Sequence, residues 1–171
     1  DVTQNETFVV TTSVSCNNAD CGEINVSLDP VSTGTQYNFT TCSATGRTGP
    51  SQGDCDTSYT GTTLEGLVGV TSGIQNWTVP TTGTYTIETV GAVGGIGTAT
   101  YSGGLGARMI GTFELTAGET IKILVGQSGE NWTGYKAGGG GGGTFVVNST
   151  NGPLIIAGAG GGGGGNSNPA S

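Results

Sequence analysis

The residues that could carry out covalent chemistry are few. The chain of 171 residues contains no histidine, so the usual Ser-His-Asp and Cys-His arrangements, in which a histidine takes the proton of the nucleophile, are excluded. Two carboxylates, Glu114 and Glu119, lie on either side of an Ala117-Gly118 turn, and we expect them to repel each other on the wet surface of a hairpin. The sequence therefore predicts a protein that is not an enzyme.

Two short motifs resemble ligand-binding loops without completing them. Gly158–Gly163 matches the Gly-x-Gly-x-x-Gly dinucleotide pattern and follows the apolar segment Leu154–Ala157, but no helix can follow and any run of six glycines matches. Asp54–Ser58 has the spacing that opens a calcium loop, but Tyr59 stands where an EF-hand needs glycine, and no glutamate closes the loop. We therefore expect no cofactor and no metal.

The cysteines form two close pairs in the sequence, Cys16 with Cys21 and Cys42 with Cys55. An even number at short spacing in a chain without histidine predicts two disulfides, although four cysteines allow three pairings. A zinc site would require Cys-x2-Cys spacing or histidines, and this chain has neither. Because disulfides persist in oxidising compartments, the cysteines indicate an extracellular protein.

Glycosylation sequons and the lack of a long apolar run favour the same compartment. No apolar run approaches the roughly 20 residues that span a bilayer, and no signal peptide is present, so we expect Asp1 to be a mature N-terminus. We expect some of the Asn-x-Ser/Thr sequons to carry glycans, although not all of them. The sequons are at Asn5, Asn25, Asn38, Asn76, Asn131 and Asn148.

The charge balance excludes nucleic acid as a partner. Twelve acidic residues outweigh four basic ones, which gives a formal net charge of −8. Binding to a phosphate backbone needs clustered Lys and Arg side chains. The four basic residues are scattered along the chain, at Arg47, Arg108, Lys122 and Lys136.

Glycine makes up 36 residues and is concentrated in the second half, where two uninterrupted runs adjoin short apolar segments. Glycine loses more conformational entropy on ordering than any other residue, so ordered runs require a neighbour for every N–H and C=O group. Packed polyglycine II helices, which have three residues per turn and no internal hydrogen bonds, would supply those neighbours. The predicted scaffold residues are Gly138, Gly139, Gly140, Gly141, Gly142, Gly143, Gly160, Gly161, Gly162, Gly163, Gly164 and Gly165.

Short β-branched and aromatic segments recur at the spacing typical of a β-sandwich. One helical turn is predicted over Ser51–Tyr59, because Pro50 can begin a helix. The sequence therefore predicts an all-β fold whose glycine-rich connections leave one end of a sandwich and lie side by side. These connections are the two glycine runs and the stretches Gly91–Gly97 and Gly103–Gly106. The predicted strands are Tyr37–Cys42, Gly73–Val79, Thr84–Val90, Arg108–Leu115, Glu119–Val125, Thr144–Val147 and Leu154–Ala157.

The first 33 residues are predicted to form a separate small segment, followed by a glycine-rich sandwich domain over residues 34–171. Two strands are expected in the first segment, Thr7–Ser15 and Glu23–Asp29. Because two strands alone are marginal in water, this segment must pair with the rest of the chain or with another molecule. Strand addition to a neighbouring subunit would use Phe8, Val9 and Val10.

Both tryptophans lie in Asn-Trp-Thr triplets. Trp77 precedes Val79-Pro80 and is expected in the core or packed against a sugar. Trp132 lies beside Tyr135 and Lys136, where an exposed aromatic pair could contact a partner.

Seven blocks of the sequence, in the same order, resemble the extracellular glycine-rich domain of the anaplastic lymphoma kinase and leukocyte tyrosine kinase receptors. The resemblance implies a tumour-necrosis-factor-like (jelly-roll) β-sandwich that carries a bundle of polyglycine II helices, with a disulfide between Cys42 and Cys55. The blocks are residues 41–55, 73–80, 85–87, 91–95, 123–129, 137–143 and 153–158.

The chain also departs from that family. It has no kinase, membrane span or growth-factor-like module, its counterpart of a long insertion is reduced to Glu130–Lys136, and its first 33 residues have no counterpart. Short parts also resemble microbial surface proteins, phage adhesins and immunoglobulin-like pieces of prokaryotic surface proteins. We therefore expect a microbial surface protein in preference to an animal receptor fragment.

Together these features predict a non-enzymatic extracellular subunit of a surface filament or adhesive appendage. The expected partner is a second copy of the chain, joined through strands and glycine backbone, with glycans or a cell-surface protein as further partners. A ligand-binding ectodomain of a cell-surface receptor is one alternative, and a virus or phage adhesin is the other.

Overall fold

A computed structural model describes residues 26–30, 34–98, 101–132 and 136–165. Within these residues, strands in two antiparallel sheets and one short helix confirm the predicted all-β sandwich. In chain order the elements are β1 Val26–Pro30, β2 Tyr37–Phe39, α1 Gln52–Ser58, β3 Val68–Thr71, β4 Ile74–Thr78, β5 Gly83–Val90, β6 Arg108–Leu115, β7 Thr120–Leu124, β8 Thr144–Asn148 and β9 Pro153–Ala157.

The first sheet has the strand order β2-β1-β5-β6. Strand β1 pairs with β2 on one side, through Val26 opposite Phe39, and with β5 on the other, through Leu28 opposite Ile87. The backbone of β1 therefore completes this sheet, although it belongs to the segment that the sequence predicts to be separate.

Several predicted sites lie outside the described residues. They are the strand Thr7–Ser15 with Phe8, Val9 and Val10, the cysteines Cys16 and Cys21, the sequons Asn5 and Asn25, and Tyr135.

The second sheet has the strand order β3-β4-β7-β8-β9. Strands β3 and β4 form a hairpin in which Thr71 pairs with Ile74 across a two-residue turn. Ser72 and Gly73 both have positive φ, at 51° and 78°, which is the backbone that a tight hairpin turn requires. Strand β3 is not among the strands predicted from the sequence, because Val68–Thr71 is short and contains a glycine.

The prediction of a hairpin across Ala117-Gly118 is wrong. The turn is present, since Glu119 donates its N–H to the carbonyl of Thr116 over 3.0 Å, but β6 pairs with β5 and β7 pairs with β4 and β8. The chain therefore crosses from one sheet to the other at this turn. Glu114 accepts a hydrogen bond from Thr84 in the first sheet, so the two carboxylates do not face each other across a hairpin.

The core between the sheets is centred on Trp77, which is fully buried. Its ring lies 5.0 Å from Tyr37, 6.1 Å from Phe39 and 6.0 Å from Tyr85, in tilted and edge-to-face arrangements. Such aromatic pairs add stability beyond the area that they bury. Trp77 is therefore a core residue, which is the first of the two roles that the sequence allowed.

The helix α1 begins at a capping box. The side chain of Ser51 accepts a hydrogen bond from the N–H of Asp54, and the carboxylate of Asp54 accepts one from the N–H of Ser51. This arrangement satisfies N–H groups that a helix end otherwise leaves unpaired. A disulfide joins Cys55 of the helix to Cys42, the pairing that the family resemblance implies.

No helix among the described residues has the length and apolar character needed to cross a membrane.

Candidate functional site: the glycine bundle

Five glycine-rich segments leave the same end of the sandwich. Segment I (91–97) continues from β5, segment II (101–107) leads into β6, segment III (126–132) continues from β7, segment IV (138–143) leads into β8, and segment V (158–164) continues from β9. We call these five segments the glycine bundle. Four of them, segments I, II, IV and V, were predicted from their glycine content, whereas segment III was not.

Segment I lies at the centre of the bundle and bonds to all four other segments. The N–H groups of Gly91, Gly94 and Gly97 donate to carbonyls of segment II over 2.9–3.0 Å. Those of Ala92 and Gly95 donate to segment IV over 2.9 and 2.7 Å, and the carbonyls of the same two residues accept from segment V over 2.8 Å. Carbonyls at positions 93 and 96 accept from segment III. Each neighbour is therefore contacted at every third residue.

Segment IV repeats this three-residue pattern. Gly138 and Gly141 donate to segment V over 2.9 Å, and Gly139 and Gly142 donate to segment III over 2.9 and 2.8 Å. Gly140 has no backbone hydrogen bond within the described residues. Three residues is also the period of a polyglycine II helix, and that helical conformation itself stays a prediction.

Close packing, rather than an unusual backbone angle, explains why glycine occupies these positions. Among the bundle segments, no glycine has a positive φ, so an L-residue could adopt the backbone. The obstacle is space, because an added Cβ would overlap a carbonyl oxygen of a neighbouring segment. Such overlap occurs at Gly91, Gly94, Gly95, Gly97, Gly103, Gly106, Gly126, Gly129, Gly138, Gly141, Gly160, Gly162 and Gly163.

One buried side chain joins the sandwich to the bundle. The hydroxyl of Thr144 donates to the carbonyl of Val90 over 2.7 Å and accepts from the N–H of Gly126 over 3.1 Å. These three residues lie where β5, β7 and β8 meet segments I, III and IV. Thr144 therefore fixes the positions from which three of the five segments start.

The end of the bundle farthest from the sandwich carries exposed aromatic side chains. Trp132 is 46% exposed and Tyr101 is 47% exposed, and both are bonded through the backbone to the end of segment I. The ammonium of Lys136 lies 4.9 Å from the centre of the Trp132 ring, which is the geometry of a cation–π contact. We call Tyr101, Trp132 and Lys136 the distal tip.

The described sequons differ in how far their side chains are already engaged. Asn38 is exposed, while Asn131 uses its carbonyl oxygen to accept from the N–H of Ile96 over 2.7 Å. Asn148 accepts three hydrogen bonds inside a turn, and Asn76 donates to Gly69 within the sheet. Asn38 and Asn131 are both exposed, and Asn76 and Asn148 are partly buried. Glycosylation of any of these positions stays a prediction.

The two motifs that resemble ligand loops have structural roles. Gly158–Gly163 forms most of segment V and bonds to segments I, II and IV. Asp54 caps α1, and Asp56 accepts a hydrogen bond from Gln52 within the helix. No group of three or more potential metal-ligating residues occurs in the described part of the chain.

The perturbed ionisable groups lie in the sandwich. Burial raises the pKa of Tyr59, whose hydroxyl donates to Gln75 over 2.6 Å and accepts from the N–H of Thr40 over 2.9 Å. Burial, with a smaller effect of Tyr85, also raises the pKa of Tyr37. Both shifts follow mainly from burial in the core, and the two groups do not converge on an open site.

The pKa of two exposed groups is shifted by hydrogen bonding. The hydroxyl and N–H of Ser51 lower the pKa of Asp54. The hydrogen bonds and charge of Glu88 raise the pKa of Arg108, whose guanidinium lies 2.6 and 3.0 Å from the two carboxylate oxygens.

Comparison with known proteins finds a similarity that bears on function. No family model matches the chain. The mouse leukocyte tyrosine kinase receptor is 41% identical over 107 residues, which cover 60% of this chain and 12% of the receptor. The chain thus corresponds to about one eighth of that relative. The similarity agrees with the family that the seven sequence blocks indicate, and a microbial source stays a prediction.

Proposed function

We propose that this chain is a ligand-binding module of a cell-surface receptor, located outside the cell and without enzymatic activity. The observation that carries the proposal is the 41% identity to part of the mouse leukocyte tyrosine kinase receptor. The Cys42–Cys55 disulfide fits the same location, since such bonds persist in oxidising compartments.

The glycine bundle supports this role because it holds the distal tip at a fixed distance from the sandwich. Segment I is bonded on every side, so Tyr101 and Trp132 are attached to a scaffold of backbone hydrogen bonds. Trp and Tyr are enriched where proteins contact partners, because they bury a large rigid surface at low entropic cost. The distal tip is therefore the surface that we assign to ligand contact.

A cell-binding assay tests the assignment. The secreted chain, labelled with a fluorophore, is titrated onto cells that express candidate partners, and we expect saturable binding. The double variant Trp132→Ala with Lys136→Ala should weaken binding at least tenfold, because it removes the aromatic ring and its cation. Leu67→Ala is the matched control, since Leu67 is 50% exposed and lies on the sandwich. Equal loss in both variants, or no saturable binding, would contradict the proposal.

The second candidate function, a filament subunit, is favoured by strand β6. This strand of eight residues is an edge of the first sheet, and Met109 and Ile110 on it are 45% and 51% exposed. An open edge of this length can pair with another chain. Electron microscopy and sedimentation separate the candidates: the receptor module stays monomeric, and the filament subunit forms polymers that Ile110→Lys disrupts.

A further inference from the structure

A cleft lies beside the glycine bundle, and no residue of the distal tip lines it. Its volume is about 870 Å³, within the usual range for binding sites. Segments III and IV line it, together with the loop over residues 45–49, the Ser72-Gly73 turn and Phe145.

Polar groups without partners line this cleft. The carboxamide oxygen of Gln127 is buried and has no hydrogen-bond partner among the described residues. Gly140 also lines the cleft, and neither its N–H nor its C=O is bonded within the described part of the chain. The buried Gln127 oxygen costs free energy while it lacks a partner, and the N–H and C=O of Gly140 are exposed in the cleft. The cleft is therefore suited to a ligand that supplies hydrogen-bond donors and acceptors.

The direction of the Gly140 peptide follows from the three-residue pattern of segment IV. The N–H groups of Gly138 and Gly141 are directed to segment V, and those of Gly139 and Gly142 to segment III. The N–H of Gly140, the remaining member of the triplet, is directed to neither. One side of segment IV therefore presents the same kind of group that elsewhere binds another glycine segment.

The outer segments show what a further segment would need in order to fit. In segment III, glycine recurs at Gly126 and Gly129, where a Cβ would overlap carbonyls of segment IV. The positions between them hold Gln127, which is partly buried, and Ser128, which is exposed, so both positions leave room for a side chain. Segment II follows the same rule, with overlap at positions 103 and 106 and the exposed Leu105 between them. A segment with neighbours on one side needs glycine only at every third residue.

We propose that the cleft binds an extended peptide with glycine at every third residue, which lies along segments III and IV as a sixth segment of the bundle. Its peptide N–H groups bond to the Gln127 oxygen and the Gly140 carbonyl, and one of its carbonyls accepts from the Gly140 N–H. The proposal does not depend on the receptor function, because the same cleft is present whether the chain acts in a receptor or in a filament.

Peptide fits the cleft better than an acidic glycan. Arg47 and Glu130 both line it, so it does not present the uniformly positive surface that a polyanion requires. The unpaired groups at Gly140 are a peptide N–H and C=O, the same groups that join the neighbouring segments to one another. Recognition through peptide groups also predicts that affinity changes little with ionic strength.

The test uses two synthetic peptides, acetyl-(Gly-Ser-Pro)4-amide and acetyl-(Ala-Ser-Pro)4-amide, whose prolines favour the extended conformation. The whole chain, labelled with nitrogen-15, is titrated with each peptide and followed by NMR. We expect the glycine peptide to shift the resonances of Gln127 and Gly140 and to bind at least tenfold more tightly than the alanine peptide. Equal binding of the two peptides would overturn the proposal.

Two variants test the contacts without damaging the fold. Gln127→Leu removes the unpaired acceptor, and Gly140→Pro removes an N–H that no described residue uses, at a position that does not have a positive φ. Each substitution should lower the affinity for the glycine peptide at least fivefold without lowering the melting temperature of the protein. Gly161→Pro is the matched control, since Gly161 lies in segment V with open space around its Cβ position and does not line the cleft.

The remaining outcomes also decide the question. Unchanged peptide affinity in Gln127→Leu contradicts the proposal even if Gly140→Pro fails to fold. The other test ligand is a sulfated oligosaccharide. The proposal is overturned, and the cleft is assigned to a glycan, if this oligosaccharide shifts the resonances of Gln127, binds much more weakly as salt is added and is not displaced by the glycine peptide.

Discussion

The β-sandwich and the glycine bundle continue the same strands, but their interiors are built in opposite ways. In the sandwich, side chains such as Trp77, Ile87 and Ile123 fill the space between two sheets, which such packing holds about 10 Å apart. In the bundle, segments I and II, which adjoin the first sheet, bond directly to segments III, IV and V, which adjoin the second. The layer of side chains therefore sets the distance between the two sheets. In the bundle this layer is absent, and the backbones that continue from the two sheets lie within hydrogen-bonding range of each other.

The two regions should consequently respond to substitution in opposite directions. The sandwich is stabilised by burial of apolar surface, so shortening a side chain destabilises it. The bundle is stabilised by backbone hydrogen bonds that each contribute about 1 kcal/mol, and adding a side chain separates the bonded segments. Large-to-small changes test the first region, and small-to-large changes test the second.

The largest effect is expected from Trp77→Ala. Trp77 is fully buried and lies within 6.1 Å of three other aromatic rings, so the substitution should lower the free energy of unfolding by about 3–5 kcal/mol. Urea denaturation followed by circular dichroism measures the change. Trp132→Ala serves as the control, because its exposed ring should contribute less than about 0.5 kcal/mol. Similar losses in the two variants would show that the sandwich core does not depend on this cluster.

Removal of the disulfide should have the next largest effect. Cys42 and Cys55 are separated by 13 residues, and a crosslink over a loop of this length stabilises by about 3 kcal/mol. The double variant Cys42→Ser with Cys55→Ser therefore tests the sandwich side of the molecule alone. Hydrogen exchange should show faster exchange around α1 than in segment I. Equal acceleration in both regions would mean that the sandwich and the bundle unfold as one unit.

Gly94→Ala should destabilise the bundle without shortening any side chain. A Cβ at this position would overlap the carbonyl of Gly161, and such overpacking costs about 1–3 kcal/mol. Gly161→Ala is the matched control, because nothing lies within 4 Å of its Cβ position, and there the substitution should be neutral or stabilising by up to about 1 kcal/mol. Thermal unfolding and amide exchange of segment I measure both variants. Equal melting temperatures and equal amide exchange in the two alanine variants would contradict the proposed difference between the two regions.

The sequence predicted the strands and the glycine runs because both depend on local composition. The observed β5, β6 and β9 lie within one residue of their predicted bounds. Their alternating or β-branched side chains leave no other way to bury an apolar face. The lateral bonding of the glycine runs follows from the requirement that every buried peptide group has a partner.

The errors concern information that is not local. Ala117-Gly118 is compatible with a hairpin and equally with a crossing between sheets, and the pairing partners of β6 and β7 decide between them. Segment III was missed because it has only two glycines, Gly126 and Gly129. An outer segment needs glycine only where it faces a neighbour, so a search for glycine runs does not find it. A spacing of three between glycines after a strand is the signal that would have identified it.

The smallest effect concerns acidity, which should act on the sandwich side and leave the bundle unchanged. Ser51→Ala removes the N-cap of α1 and should cost about 1 kcal/mol at neutral pH. Hydrogen bonds from Ser51 lower the pKa of Asp54 in the folded chain. Their stabilisation is therefore fully present above the ordinary carboxyl pKa of about 3.9 and is lost as the pH falls through the lower folded value.

Denaturation of the wild type, Ser51→Ala and Asp54→Asn at neutral and at acid pH measures this contribution. The difference in the free energy of unfolding between the wild type and Ser51→Ala should become smaller at acid pH, because protonated Asp54 no longer accepts the charge-assisted bonds. The stability of Asp54→Asn should lack that part of the pH dependence. The backbone bonds of the glycine bundle join peptide groups, which do not titrate in this range. Amides of segment I should therefore keep their protection relative to α1 as the pH falls, and a parallel loss in both would show that the cap and the bundle are coupled.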